Sequence, residues 1–120
     1  MSKRILLLED QDNTRRSLAH LLEAEGHEVM VARNALEAQA LCVDWTPEVA
    51  LVDIELPGLQ GHEWALYLKE NSPETRIIFV SGKAGLAGMD RFGPDVYFVH
   101  KPVQPEELLA LIEEGTGAAR

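Results

Sequence analysis

Five short runs of apolar residues, rich in branched side chains and separated by longer stretches, constrain the fold of this chain more than any other feature. They lie at residues 4–8, 28–32, 49–54, 77–81 and 96–99. Runs of this length suit strands that are buried on both faces, and strands that alternate with helices form parallel sheets. The pattern therefore predicts an α/β fold, in which helices cover both faces of a mostly parallel five-stranded sheet.

Three of the longer stretches have clear helix signals. Residues 13–25 repeat leucines at helical spacing and are followed by Gly26, which is a good helix stop. A further helix is expected over residues 62–70. Pro105 suits the first position of a last helix, and Gly115 is expected to end it.

The two remaining connections are less regular. Asn34 is a suitable cap for a helix before the third strand. Between residues 82 and 95, four glycines and a proline stand where the alternation calls for a fourth helix, so that helix is predicted to be shortened or irregular. The apolar pattern of the Asn34 helix includes Leu36, Ala40, Leu41 and Val43, and Cys42 on that pattern is expected to be a core residue.

Composition limits the kinds of protein that this chain can form. With 120 residues it has room for one folded domain, expected over residues 1–114, followed by a tail or the start of a linker at residues 115–120. The 20 acidic and 11 basic residues disfavour direct binding to nucleic acid or anionic lipid. A single cysteine rules out an internal disulfide, and we see neither a signal peptide nor a membrane span, so we expect a cytoplasmic location.

Charged and hydroxyl side chains stand where four of the five predicted strands end. Glu9 and Asp10 follow the first strand, Asp53 ends the third, Ser81 ends the fourth, and Lys101 follows the fifth. Each alone has a structural interpretation as a cap, a turn residue or a solvated charge. Together they favour a site, because ligands bind beyond the carboxyl ends of parallel strands. Clustered carboxylates suit Mg²⁺, and a metal with an ammonium group stabilises a transferred phosphoryl group.

These residues lie in sequence motifs that resemble the receiver domains of two-component response regulators. The resemblance covers residues 3–114 and implies a flavodoxin-like, doubly wound sheet. It implies that Asp53 accepts a phosphoryl group from a histidine kinase or a phosphotransfer protein, and that a downstream output domain or protein reads the change. It leaves open a homodimer formed on phosphorylation, and it implies no enzyme activity beyond the domain's own phosphoryl transfer and dephosphorylation. The motifs are Leu8-Glu9-Asp10, residues 53–58 with Gly61, Val80-Ser81-Gly82 and Lys101-Pro102.

The resemblance also implies a magnesium site. In that family the acidic pair that matches Glu9 and Asp10 holds Mg²⁺ together with the phosphoacceptor, which matches Asp53. Asp10 would be a direct ligand and Glu9 would act through water. The backbone carbonyl of Glu55 would complete the protein ligands.

A third implication concerns the switch that follows phosphorylation. Lys101 would pair with the phosphoryl group, and Ser81 would donate its hydroxyl to a phosphoryl oxygen. In the family this movement is coupled to an aromatic residue three positions before the lysine, which here is Phe98. Phenylalanine lacks the hydroxyl of the tyrosine that is often found there, so the switch would be read by packing alone.

Two other functions compete with this interpretation. Residues 10–14 satisfy the D-x-D-x-T pattern of haloacid-dehalogenase-type phosphatases, in which Asp10 would be the nucleophile and Asp12 the acid/base. Against this, no acidic pair follows Lys101, the chain is too short for a substrate-covering cap, and Asp53 would have no role; Asp12 would otherwise be a helix-start residue. The other alternative is a receiver-like module that works by protein contact without phosphorylation, suggested by the unusual segment 82–95. A flavin-binding protein is disfavoured, because its phosphate cradle would not be acidic.

Overall fold

The structure is a computed structural model and describes residues 2–53, 61–81 and 96–114. Across these ranges, every helix is too short or too polar to span a bilayer. The strands are β1 (Arg4–Leu8), β2 (Glu28–Ala32), β3 (Val49–Asp53), β4 (Arg76–Ser81) and β5 (Val96–His100). The helices of the described ranges are α1 (Asp12–Ala24), α2 (Ala35–Leu41), α3 (Gly61–Asn71) and α4 (Pro105–Glu114).

The five strands form one parallel sheet in the order β2-β1-β3-β4-β5. This confirms the predicted α/β class and the flavodoxin-like, doubly wound sheet. From β1 the chain moves outward to β2, and it then returns to the other side of β1 to form β3. The crevice for ligands in such a sheet lies where the strand order reverses, which here is between β1 and β3. The predicted irregular helix at residues 82–95 lies outside the described residues.

Alternate side chains of the strands enter two separate hydrophobic cores, because successive residues of a strand point to opposite faces. Helices α2 and α3 cover one core and α1 and α4 cover the other, so the sheet is buried on both faces as predicted. The first core is built around Leu6, Leu8, Ala50, Val52, Trp64, Ala65, Ile77 and Phe79. The second is built around Ile5, Leu7, Leu18, Leu22, Leu51, Ile78, Val99, Leu108 and Ile112.

Boundary signals in the sequence predict where α2 and α4 begin and where α1 stops. The side chain of Asn34 accepts a hydrogen bond of 2.8 Å from the backbone N–H of Glu37, which confirms the predicted cap of α2. Pro105 is the first residue of α4. Gly26 follows α1 with φ +92°, a conformation that favours glycine over residues with a Cβ atom.

The predicted apolar face of α2 is wrong in part. Leu36 is 78% exposed, and Val43 is 74% exposed and lies beyond the end of the helix. The buried positions of α2 are instead Ala35 and Ala38. The apolar pattern of this stretch fits a helix in either of two rotational settings. The setting that the structure adopts packs the small alanines on the sheet and leaves the larger Leu36 in solvent.

The amino end of the sheet is closed by hydrogen bonds between neighbouring connections. The buried hydroxyl of Thr75 donates to the carbonyl oxygen of Pro47 at 2.7 Å and lies 2.9 Å from the hydroxyl of Ser72. On the other side, the backbone N–H of Lys3 donates to Nδ1 of the buried His27 at 3.1 Å. Thr75 and His27 thus each have a backbone group as a hydrogen-bond partner.

Candidate functional site

The carboxyl ends of β1, β3, β4 and β5 lie along one edge of the sheet, because all the strands are parallel. Asp53 is the last residue of β3 and Ser81 is the last residue of β4. Glu9 and Asp10 follow β1 directly, and Lys101 follows β5. The backbone thus brings the residues singled out in the sequence to one edge of the sheet.

Three carboxylates form the centre of this edge. Glu9, Asp10 and Asp53 can each present one carboxylate oxygen so that the three oxygens lie within 4.8 Å of one another. Glu9 is 1% exposed and Asp53 is 3% exposed, whereas Asp10 is the most accessible of the three. Two buried carboxylates side by side would repel each other unless a positive charge lies between them.

Lys101 supplies one such positive charge. Its Nζ donates a hydrogen bond of 3.3 Å to Oδ2 of Asp53 and lies 3.8 Å from Oε1 of Glu9. The peptide bond that joins Lys101 to Pro102 is cis. Among the described residues, three carboxylates outnumber the one ammonium group that contacts them, which favours the binding of a further cation.

The burial of Glu9 beside Asp53 alters the pKa of its carboxyl group. Burial, with the neighbouring charge of Asp53 as the second cause, raises the pKa of Glu9 from 4.5 to about 7. The backbone N–H of Gln11, which donates to Oε2 of Glu9 at 3.2 Å, and the charge of Lys101 oppose this increase in the pKa. A cation that binds the carboxylate would compete with the proton near neutral pH.

The donor set fits Mg²⁺. The converging groups are carboxylate oxygens, which are the protein ligands that Mg²⁺ prefers. This ion keeps several water ligands and uses only one or two carboxylates directly, so a half-open cluster of three suits it better than a closed cage. Among the described residues the cluster is most accessible at Asp10, where waters or a phosphoryl oxygen would complete the coordination.

Backbone contacts hold the turn between β1 and α1 against the next connection. The N–H of Glu9 donates to the carbonyl oxygen of Ala32 at 3.0 Å, which extends the pairing of β1 with β2 by one residue. The cap position of α1 is Gln11, and its side chain makes no capping hydrogen bond. The turn that carries Glu9 and Asp10 is therefore fixed by contacts other than a helix cap.

Arg15 makes those other contacts, although nothing in the strand-end pattern of the sequence points to it. Its Nη1 donates to the carbonyl oxygen of Glu9 at 3.1 Å and to that of Asp10 at 3.5 Å, while Nη2 pairs with the carboxylate of Asp12. Asp12, the first residue of α1, is thus held by Arg15 rather than in the carboxylate cluster. This arrangement does not favour the acid/base role that a dehalogenase-type phosphatase would require of Asp12. The available signal was a basic residue one helical turn after Asp12.

The two proposed switch residues lie in the last two strands, Ser81 in β4 and Phe98 in β5. Phe98 is half-buried, and its ring stacks on that of Phe79 with centroids 5.7 Å apart. The backbone of Ser81 pairs in register with His100 at the ends of β4 and β5. Glu55, whose carbonyl was expected to bind the metal, lies outside the described residues.

A comparison with protein families finds one that matches nearly the whole chain. The family described as the response regulator receiver domain matches residues 5–113. Among curated proteins, the phosphate regulon transcriptional regulatory protein PhoB of Pseudomonas aeruginosa is 34% identical over 119 residues. The match covers 94% of this chain and 51% of PhoB, so the chain spans about half the length of that relative.

Two further similarities cover most of both partners. Protein PilG of Pseudomonas aeruginosa is 32% identical over 115 residues, which is 92% of this chain and 84% of PilG. The crystal structure of a CheY-like response regulator receiver domain protein from Methanospirillum hungatei superposes with a TM-score of 0.86 at 34% identity. That superposition covers 95% of this chain and 93% of the other.

Proposed function

This chain belongs to the response regulator receiver domain family, and from that premise we propose that it is phosphorylated on Asp53 in a Mg²⁺-dependent reaction. The donor is a histidine kinase or a phosphotransfer protein. One observation carries the proposal: the buried carboxylate of Asp53 lies 3.3 Å from the ammonium group of Lys101 and within 4.8 Å of carboxylate oxygens of Glu9 and Asp10.

In the proposed reaction an oxygen of the Asp53 carboxylate attacks the phosphorus of a phosphohistidine. The bond between phosphorus and the histidine nitrogen breaks, and an acyl phosphate forms on Asp53. An ionised carboxylate is already nucleophilic, so no general base is required. Lys101 is placed to neutralise charge on the phosphoryl oxygens as the bond to Asp53 forms.

Glu9, Asp10 and Asp53 would hold Mg²⁺, with the backbone carbonyl of Glu55 as a further ligand in keeping with the family pattern. When bound there, the ion supplies positive charge to the phosphoryl oxygens. The three carboxylates would hold that charge at the carboxyl edge of the sheet, beside Asp53. Asp10 would be the direct ligand of the acidic pair, in keeping with the family pattern, and it is the more accessible of the two.

The signal then passes from the phosphoryl group to the surface at β5. We propose that the hydroxyl of Ser81 turns toward the phosphoryl group and that Phe98 repacks against Phe79, on which it stacks. A downstream output domain or protein binds the altered surface. The phosphorylated receiver domain is then either a monomer or a homodimer. The receiver domain comprises residues 1–114, followed by a tail or the start of a linker at residues 115–120, and acts in the cytoplasm.

Phosphorylation by a small-molecule donor tests the proposal directly. The protein is incubated with Mg²⁺ and acetyl phosphate, and its intact mass is measured. We expect an acid-stable, base-labile gain of one phosphoryl group, which Asp53→Asn abolishes and Asp12→Asn retains. Label that survives Asp53→Asn but is lost in Asp10→Asn would favour the phosphatase alternative. Absence of label with acetyl phosphate and with phosphorylated kinases would favour a module that works by contact alone.

A further inference from the structure

The guanidinium group of Arg15 lies beside the carboxylate cluster without forming a salt bridge to it. The side chain is 12% exposed. Its hydrogen bonds go to the backbone carbonyl oxygens of Glu9 and Asp10, and its ion pair is with Asp12. Arg15 thus places a positive charge next to the proposed cation site, where it would repel the cation. The same group is hydrogen-bonded to the backbone of the turn.

The geometry of the turn explains why a forked side chain is useful there. Glu9 and Asp10 project from the three residues that separate β1 from α1, and the side chain of Gln11 does not cap the helix. A guanidinium group has donors in a rigid plane, so it can fix two neighbouring carbonyl groups and one carboxylate at the same time. Asp12 holds the far side of that plane.

We propose that Arg15 is a positioning residue of the cation site: it fixes the backbone from which Glu9 and Asp10 present their carboxylates. This inference rests on the proposed Mg²⁺ site. Residues that orient metal ligands without touching the metal commonly change metal affinity by about 10- to 100-fold when they are removed. Arg15 would act in this way through the peptide groups of the ligands rather than through their side chains.

A simple charge effect predicts the opposite sign, and this makes the inference testable. If Arg15 acted only as a nearby positive charge, its removal would tighten Mg²⁺ binding, because the repulsion would be lost. If Arg15 positions the turn, its removal weakens binding despite the favourable change in charge. The neighbouring Arg16 is exposed, so Arg16→Gln makes the same change in charge without disturbing the turn.

The experiment measures Mg²⁺ affinity by isothermal titration calorimetry for the wild-type protein, Arg15→Gln and Arg16→Gln, at a temperature at which circular dichroism shows all three to be folded. We expect Arg15→Gln to bind Mg²⁺ about tenfold more weakly. We expect Arg16→Gln to bind as tightly as the wild type or slightly more tightly. An Arg15→Gln protein that binds as tightly as the wild type, or more tightly, would overturn the inference.

A conservative variant keeps the test valid if Arg15→Gln does not fold. Arg15→Lys retains the charge but has a single ammonium group in place of the fork, so we expect Mg²⁺ binding to remain weaker than in the wild type. Wild-type affinity in Arg15→Lys would show that the forked contact is not needed and would overturn the inference. A wild-type protein that binds no Mg²⁺ would instead contradict the proposed function, which separates the two failures.

Discussion

At the carboxyl end of the sheet, Glu9 and Asp53 are buried side by side as like charges, whereas at the amino end Thr75 and His27 are buried in hydrogen bonds to backbone groups. Both ends are built by the same strands and differ only in which groups the chain places beyond them. A hydroxyl bonded to a carbonyl contributes to stability, while adjacent carboxylates oppose folding. The acidic edge is therefore suited to binding a cation, whereas the amino end is suited to holding the fold together.

The largest effect expected is at the amino end. Thr75→Val removes the hydroxyl that donates to Pro47 and contacts Ser72, and it leaves a buried carbonyl without its side-chain donor. We expect the free energy of unfolding to fall by about 2–3 kcal/mol, as measured by urea denaturation. Thr75→Ser is the matched control and should keep most of the stability. Wild-type stability in Thr75→Val would remove the distinction between the two ends.

At the carboxyl end, removal of the charge of Glu9 is expected to raise the free energy of unfolding rather than lower it. The pKa of Glu9 in the folded protein is about 7, above its ordinary value of 4.5, so the folded state binds this proton more tightly than the unfolded state. The stability that the proton contributes is therefore complete below pH 4.5 and is lost as the pH rises through 7.

Glu9→Gln tests this in EDTA, because glutamine keeps an acceptor for the N–H of Gln11 but carries no charge. We expect the variant to be more stable than the wild type by about 1–2 kcal/mol at pH 8 and to match it near pH 4. Urea denaturation at the two pH values provides the measurement. A variant that is less stable than the wild type at pH 8 would mean that the charge of Glu9 supports the fold rather than opposing it.

Mg²⁺ should convert the acidic edge from a source of repulsion into a source of stability. At ten times its dissociation constant, an ion that binds only the folded state stabilises it by about 1.4 kcal/mol, which raises the melting temperature by a few degrees. Asp10→Asn should lose most of this increment. The exposed Asp44 lies outside the cluster, and Asp44→Asn should keep it. A melting temperature of the wild-type protein that does not respond to Mg²⁺ would contradict this account.

The smallest effect is expected from an acid-to-amide change at the amino end. Glu48 is exposed, and its Oε1 accepts the backbone N–H of Arg4 at 2.9 Å, a role that glutamine can also fill. Glu48→Gln should therefore change the free energy of unfolding by less than about 0.5 kcal/mol, with or without Mg²⁺. Glu48→Ala, which removes the acceptor, should be the more destabilising of the two. A Mg²⁺-dependent change in Glu48→Gln would show that the two ends are coupled.

The fold could be predicted from the sequence because the signals that define it are local. The strands over residues 4–8 and 28–32 were predicted to the residue, since a buried strand is a short branched run that begins and ends abruptly. The assembly of Glu9, Asp10, Asp53 and Lys101 was also predictable, because parallel strands bring their carboxyl ends to one edge whatever the details of packing.

Features that depend on the rotation of a helix or on the path of a long side chain could not be predicted in the same way. The sheet-facing side of α2 was misassigned at Leu36 and Val43, because a short helix with apolar residues on two sides has no unique rotation in its sequence pattern. Arg15 reads as a surface residue of α1, and only the fold shows that its side chain turns back to the preceding turn.

The position of β5 at the outside of the sheet has a mechanical consequence. In the described sheet β5 is bonded to β4 along one side only, and it leads directly into Lys101, whose ammonium group is held by Asp53. A change of charge on Asp53 therefore changes the attraction on Lys101 at the end of β5. Within the described sheet, β5 is hydrogen-bonded on one side only, to β4. Among the strands that end at the site, β1, β3 and β4 each have a hydrogen-bonded neighbour on both sides, whereas β5 has a described neighbour on one side only. The same change in attraction would displace β5 further than it would displace β1, β3 or β4, and Phe98 would move with β5.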